Sequence, residues 1–434
     1  MAEIFPFPAY RYDTQKHKLE DVLTQPYDKI TPAMQGAYYA KHPDNLIRIE
    51  KGRATQQDSA SDNVYTRAAA ALQDWVARQV VVREPAPAIY AYFQDYRVPG
   101  SLDRRVRKGF IALGRVVDYD AGIVYRHEQT LAGPRADRLE LLRHTRAHTG
   151  QLFMIYSEPA RAVDAILEEV ARGPATAEMR DEYDVLHRLW AITDPSRIAA
   201  IQRAMSDKKL VIADGHHRYE TALTYRNEQR TATGNSSPNA PHERVMMTFI
   251  NTHAEGLLIL PTHRVVSNLP NFDAASLRRQ LAQWFDIGPA PQDAASLREQ
   301  LPAAAKEARA IALHTRGESS LLTLKPSADL NALLAHVGAA QRELDVVLLH
   351  RLIFEKGLGI TADAVSKESH ITYEREMENA IAAVESGKAQ AAFLLNPVSV
   401  EQTVRMALAG EVLPQKSTDF YPKLLSGLTI YKLD

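Results

Sequence analysis

The chain has 434 residues, no cysteine and a formal net charge of −1 from 52 basic and 53 acidic side chains. At about 150 residues per domain this length predicts two or three domains. The missing thiols exclude disulfides, thiolate zinc sites, iron–sulfur clusters and a cysteine nucleophile, and they fit a reducing compartment.

The balanced charge is unlike that of a general nucleic-acid binder, so no nucleic-acid partner is expected. The opening MAEIFPFPAYRYD has neither the basic nor the apolar region of a signal peptide, and no stretch approaches the roughly 18 apolar residues of a membrane span. The expected location is the cytoplasm, with no membrane partner and no statement about oligomeric state.

Turn and strand signals dominate the first forty residues, where Pro6, Pro8 and Pro26 fix extended or turn backbone. Apolar spacing predicts a helix over about 62–79. AIYAYFQDYRV alternates, turns near Pro99–Asp103 and returns as KGFIALGRVVDY, a hairpin pattern. Residues 135–170 read as helical around a strand, QLFMIYSE, and further helix is predicted over 179–190 and 195–205. KLVIADGHHRYETALTYR reads as a buried strand, a four-residue break and a helix.

The polar stretch 227–244 that follows reads as a solvated loop, with a mobile lid as the sharper alternative. From about 272 to 340 two helices, two strands and a further helix suggest a small α/β unit. DAASLRRQL and DAASLREQL, twenty residues apart, read as two helices with the same Asp cap rather than as a repeat. The end reads as helix, strand, helix and a last strand. The expected class is therefore mixed α/β, with domains over 1–264, 265–340 and 341–434.

Two passages carry chemistry. Asp214-Gly215-His216-His217-Arg218 closes a strand and opens a helix. Glycine lets the backbone turn and approach a ligand, helix-start amides attract anions, arginine forks two hydrogen bonds to a phosphoryl group, and the histidines donate or accept. The plainer alternative is that Asp214 caps the helix and the histidines satisfy neighbours.

The second passage is Tyr125-Arg126-His127-Glu128-Gln129-Thr130, followed by Arg135, Asp137 and Arg138. A glutamate beside a histidine can act as a general base when its surroundings tune it. Taken alone, it reads as a charged turn. His127, Glu128, Asp214, His216 and His217 are competent metal ligands, yet they lack HExxH or HxH spacing. Magnesium carried in on a phosphate suits them better than zinc. Arg135, Arg264, Lys416, Ser417, Thr418 and Lys423 are further candidate anion contacts. Asp28, in the turn Pro26-Tyr27-Asp28, becomes interesting only by company.

Together IADGHHRYETAL, RHEQT with PRADRLELL, QPYDKIT, PTHR and PQKSTDFYPKLLSGL resemble, end to end, the bacterial and archaeal family known as domain of unknown function 1015. Leu413 stands where that pattern leads one to expect methionine. The family's central region looks like the ParB/sulfiredoxin superfamily, with free L-serine kinases as its functional relatives. The resemblance implies a core over about 110–264. Glu128, beside His127, would activate an acceptor hydroxyl, and Asp214 to Arg218 would bind the phosphoryl donor. Asp214 would touch a magnesium ion. It further implies a phosphotransferase acting on L-serine or a similar small acceptor, with ATP, ADP or pyrophosphate as donor. A nucleotide-binding regulator without transfer activity and a phosphoserine-type phosphohydrolase are the alternatives.

Overall fold

Aliphatic and β-branched runs bounded by turn residues build two large sheets, each in its own compact unit. A computed structural model describes residues 2–128 and 132–433, and the backbone alone for 132–134. One unit comprises residues 1–126, 130–257 and 422–434; the other comprises 127–129 and 258–421. The expected boundaries near 265 and 340 both fall inside the second unit. The mixed α/β class expected from the sequence is the one observed.

The first unit is built on a nine-stranded sheet. From edge to edge it runs Val124–Tyr125, Leu210–Asp214, Leu152–Tyr156, Arg244–Asn251, Arg104–Arg115, Ile89–Arg97, Leu186–Ile192 and Ala177–Arg180, with Ile4–Phe5 pairing along Arg104–Arg115. The predicted hairpin is its antiparallel centre, in register from Tyr90 opposite Ile111 to Arg97 opposite Arg104. Leu210–Asp214 lies between a parallel and an antiparallel neighbour, which explains its continuous apolar run. The core beneath includes Ile89, Phe110, Met154, Ile212, Tyr219 and Phe249.

The second unit has a six-stranded sheet, ordered Phe285–Pro289, Glu318–Leu324, Ala310–Thr315, Ala391–Leu394, His263–Val266 and Ile371–Glu374. Its core gathers Leu277, Phe285, Leu313, Leu352, Phe354 and Phe393. The two Asp-led helices form as read: Asp273 accepts from Ser276 N at 2.7 Å and Asp293 from Ser296 N at 2.8 Å. Among the described residues no helix is long and apolar enough to cross a membrane.

Several expectations are corrected. Residues 179–190 are no helix but part of a hairpin, Ala177–Arg180 with Leu186–Ile192. The Asp181 carboxylate accepts from Tyr183 N and Val185 N, and Asp184 takes φ +61°, so turn chemistry overrides the helix-forming composition. The stretch read as a loop from 227 is helical as far as Thr233 and stops at Gly234, φ +65°. Within the turn-rich opening, Thr31 caps a ten-residue helix, Pro32–Lys41, with proline at its first position. The strand Phe285–Pro289 went unread between the two Asp-capped helices.

Candidate functional site

A β-bulge aims Asp214. The register slips between Ile212 and Asp214, which face Met154 and Phe153, so that Ala213 is the extra residue and Asp214 takes the place opposite Phe153. Gly215 follows at φ +93°, ψ +27° and is the N-cap of the 18-residue helix His216–Thr233, with no side-chain cap. A Cβ there would sit 3.0 Å from Arg218 Nε and 3.0 Å from Leu152 Cδ2. The glycine is required twice, for its backbone angle and for the guanidinium that folds back over it.

Asp214 does not cap the helix. Its Oδ2 takes a hydrogen bond from Lys423 Nζ at 3.0 Å, with the carboxylate 23% and the lysine 10% exposed. Burial pushes the Asp214 carboxyl up, but Lys423, Arg218 and Lys29 outweigh it and hold the group well below the usual carboxylate range. One Nη of Arg218 donates to Gln151 O at 2.5 Å, and its buried Nε has no acceptor among the described residues.

His216 is 8% exposed. His217 is held below the usual histidine range by burial, against Glu220, Asp28 and Asp214. Asp28 therefore finds the company that makes it interesting. Tyr27 beside it is pushed up to about 12, by burial first and with Arg218, Asp28, Arg138 and Asp214 acting on it, and the Arg138 guanidinium lies 4.2 Å over its ring. Arg135 reaches Glu220 at 3.7 Å, one turn along the helix, with its side chain about half exposed at 51%.

The other candidates meet in the second unit. His127 is fully buried, and its Nε2 lies 2.8 Å from Thr418 Oγ1. Its carbonyl accepts from Leu413 N at 2.7 Å, and Glu128 bridges Leu413 in a parallel pairing. Glu128 Oε1 accepts from Lys416 N at 2.5 Å, a bond that fixes the carboxylate's orientation. Lys416 takes φ +57° to present that amide, and Ser417 Oγ donates to Pro414 O at 2.6 Å. Arg264 donates to Lys416 O at 3.2 Å. Gln129 and Thr130 lie outside the described residues.

The anion candidates thus sort between the units. Lys423 joins Asp214, while Arg264, Lys416, Ser417 and Thr418 join His127 and Glu128. For a resident magnesium ion Asp214 is a poor fit, because the groups facing its carboxylate are cations. Sequence reading missed one group of three metal ligands, His17, His42 and Asp44, whose atoms lie within 4.8 Å of one another. Arg78 already pairs with Asp44 at 2.6 Å. Their separation along the chain gave no motif to find.

Comparison with solved structures finds similarity at low identity. A conserved hypothetical protein from Pyrococcus furiosus matches at 14% identity, covering 71% of this chain and 92% of its own, with a TM-score of 0.35. A free serine kinase in complex with AMP matches at 12% identity, covering 70% and 88%, with a TM-score of 0.35. C-terminally truncated SbnI from Staphylococcus aureus matches at 10% identity, covering 73% and 87%, with a TM-score of 0.33. No curated protein matches in sequence. A family model covers residues 4–388, and the chain accordingly belongs to the family described as Protein of unknown function (DUF1015).

Proposed function

We propose that the chain is a small-molecule phosphotransferase whose Asp214–Arg218 turn binds the phosphoryl donor and whose Glu128 takes the acceptor's proton. The observation that carries this reading is the charge at the helix start, where the Asp214 carboxylate faces Lys423, Arg218 and Lys29 beside a glycine N-cap. Cations gathered at a helix N-terminus suit a polyphosphate.

Transfer requires positioning and charge neutralisation more than covalent help. In the proposed step the acceptor O–H proton passes to the Glu128 carboxylate and the acceptor oxygen forms the new P–O bond. The bond to the leaving phosphate breaks, and its electron pair stays on the leaving oxygen. The acceptor is L-serine or a similar small hydroxy compound, and the donor is ATP, ADP or pyrophosphate, both in keeping with the family resemblance. We assign no step to magnesium.

The binding-only alternative has one observation in its favour: Asp214, Arg218 and Lys423 all belong to the first unit. Phosphorus NMR on the full chain with L-serine and magnesium, offering pyrophosphate, ADP and ATP in turn, separates the readings. A phosphomonoester identified as O-phosphoserine supports transfer. Nucleotide binding with no ester from any donor supports the regulator, and inorganic phosphate released from phosphoserine supports the hydrolase.

A further inference from the structure

The second unit holds a feature that this phosphoryl chemistry leaves unused. Arg264 is 1% exposed, yet among the described residues no carboxylate pairs with it. One Nη donates to Thr262 O, the other to Lys416 O at 3.2 Å, and the buried Nε has no acceptor among the described residues. The Tyr373 ring lies 5.4 Å from the guanidinium. Burial pulls the group down to about 10, against the opposing influence of Tyr373 and Glu128. A guanidinium kept dry with backbone carbonyls as its hydrogen-bond partners is an arrangement that folded proteins normally avoid.

Arg264 lines a cavity of about 40 Å³ together with Asp345, Asn396 and Ser417. One water needs roughly 10–15 Å³ by this measure, so the space takes about three waters, or the carboxylate and ammonium of one small zwitterion. Asp345, half-buried, is the second group of interest. Its carboxyl has no hydrogen-bond or ion-pair partner among the described residues, and burial pushes it up to about 6 against the pull of Arg309. Two groups of opposite charge therefore line one cavity without pairing with each other or with another side chain. A ligand carrying both charged groups on one carbon satisfies both.

We propose that this cavity binds the zwitterionic head of a free amino acid, its α-carboxylate on Arg264 and its α-ammonium on Asp345. The site deepens the phosphotransferase reading, on which only the ligand's role as acceptor rests. A free carboxylate or phosphate held by Arg264 alone is the competing occupant.

The test is calorimetric binding to the full chain without any phosphoryl donor, using L-serine, L-alanine, L-lactate and ethanolamine as probes. L-Serine and L-alanine are expected to bind saturably, with L-lactate and ethanolamine each at least about tenfold weaker, because each lacks one charged contact. Asp345→Asn, which keeps the side chain's shape, should weaken L-serine about tenfold or more and leave L-lactate unchanged. Arg264→Gln should weaken both; should that variant not fold, Asp345→Asn decides.

The proposal is overturned by L-lactate binding as tightly as L-serine, by an Asp345→Asn protein that binds L-serine normally, or by no saturable binding of either amino acid. L-Serine bound but never phosphorylated leaves this site standing and sinks the transferase. Phosphorylation with an unchanged KM in Asp345→Asn does the reverse.

Discussion

The Asp214 turn and the Glu128 cluster are built in opposite ways. Around Asp214 the strand, the bulge, the glycine and the helix are consecutive in the chain, and Lys423 arrives from 209 residues away to pair with a carboxylate already aimed. Around Glu128 every polar contact described is remote: Lys416 N reaches Glu128 across 288 residues and Thr418 reaches His127 across 291. A site whose geometry is written into one strand–turn–helix passage tolerates loss of its remote partner. A site assembled from the far end of its unit depends on that partner for its shape.

The sharpest way to break this contrast is Glu128→Gln. If Glu128 is the base, the change removes proton acceptance while the Lys416 amide still finds an oxygen. Transfer to L-serine should fall by at least about 10²-fold, with donor affinity unchanged. A variant that transfers normally would refute the role.

Next in size is Gly215→Ala. The residue sits at φ +93°, and the new Cβ would meet Arg218 Nε and Leu152 Cδ2 at 3.0 Å. Urea unfolding should show a loss of about 1–3 kcal/mol, and donor affinity should drop as Arg218 is displaced. Unaltered stability and affinity together would mean that the turn neither needs glycine nor positions the guanidinium.

Lys423→Met sharpens the same contrast from the other side. Asp214 in the wild type is held below the ordinary carboxylate range, so its contribution to stability is complete above the unfolded value of about 3.9 and is lost as pH falls through the lower folded value. Without Lys423 burial acts with less opposition, and the variant should be less stable by about 1–2 kcal/mol at neutral pH. The gap to the wild type should close in strong acid. A gap that persists there would assign the loss to packing of the lysine stem.

The same division explains what the sequence disclosed. Gly215 at a strand-to-helix junction is legible because the constraint is local, as are the hairpin from its alternation and the Asp273 and Asp293 caps. Residues 179–190 misled because helix-forming Glu, Leu and Arg outweighed in composition a turn that Asp181 and Asp184 form through side-chain bonds and a positive φ. Residues 227–233 misled in the other direction: their polarity marks a solvated helix face as readily as a loop. Glu128 stands out in sequence as a glutamate beside a histidine, yet only the family resemblance lifts it above a charged turn, because nothing near it in sequence reveals Lys416 or Thr418. That no carboxylate among the described residues pairs with Arg264, and no cation with Asp345, was beyond sequence altogether, since such pairing is a property of the folded surroundings.

The smallest effect tests the remote side of the contrast most directly. Thr418→Val keeps the volume and removes the hydroxyl that lies 2.8 Å from His127 Nε2, taking one polar contact from a fully buried imidazole. The stability loss should be about 1 kcal/mol, readable as a shift in the urea midpoint at constant slope. Because His127 is adjacent to Glu128 and both are tied to 413–418, the change should also lower kcat several-fold while donor affinity, a property of the other unit, stays fixed. Thr418→Ser should restore both quantities, since it returns the hydroxyl without the methyl. If valine lowers stability and leaves kcat untouched, His127 is a packing residue, and Glu128 keeps its position without it.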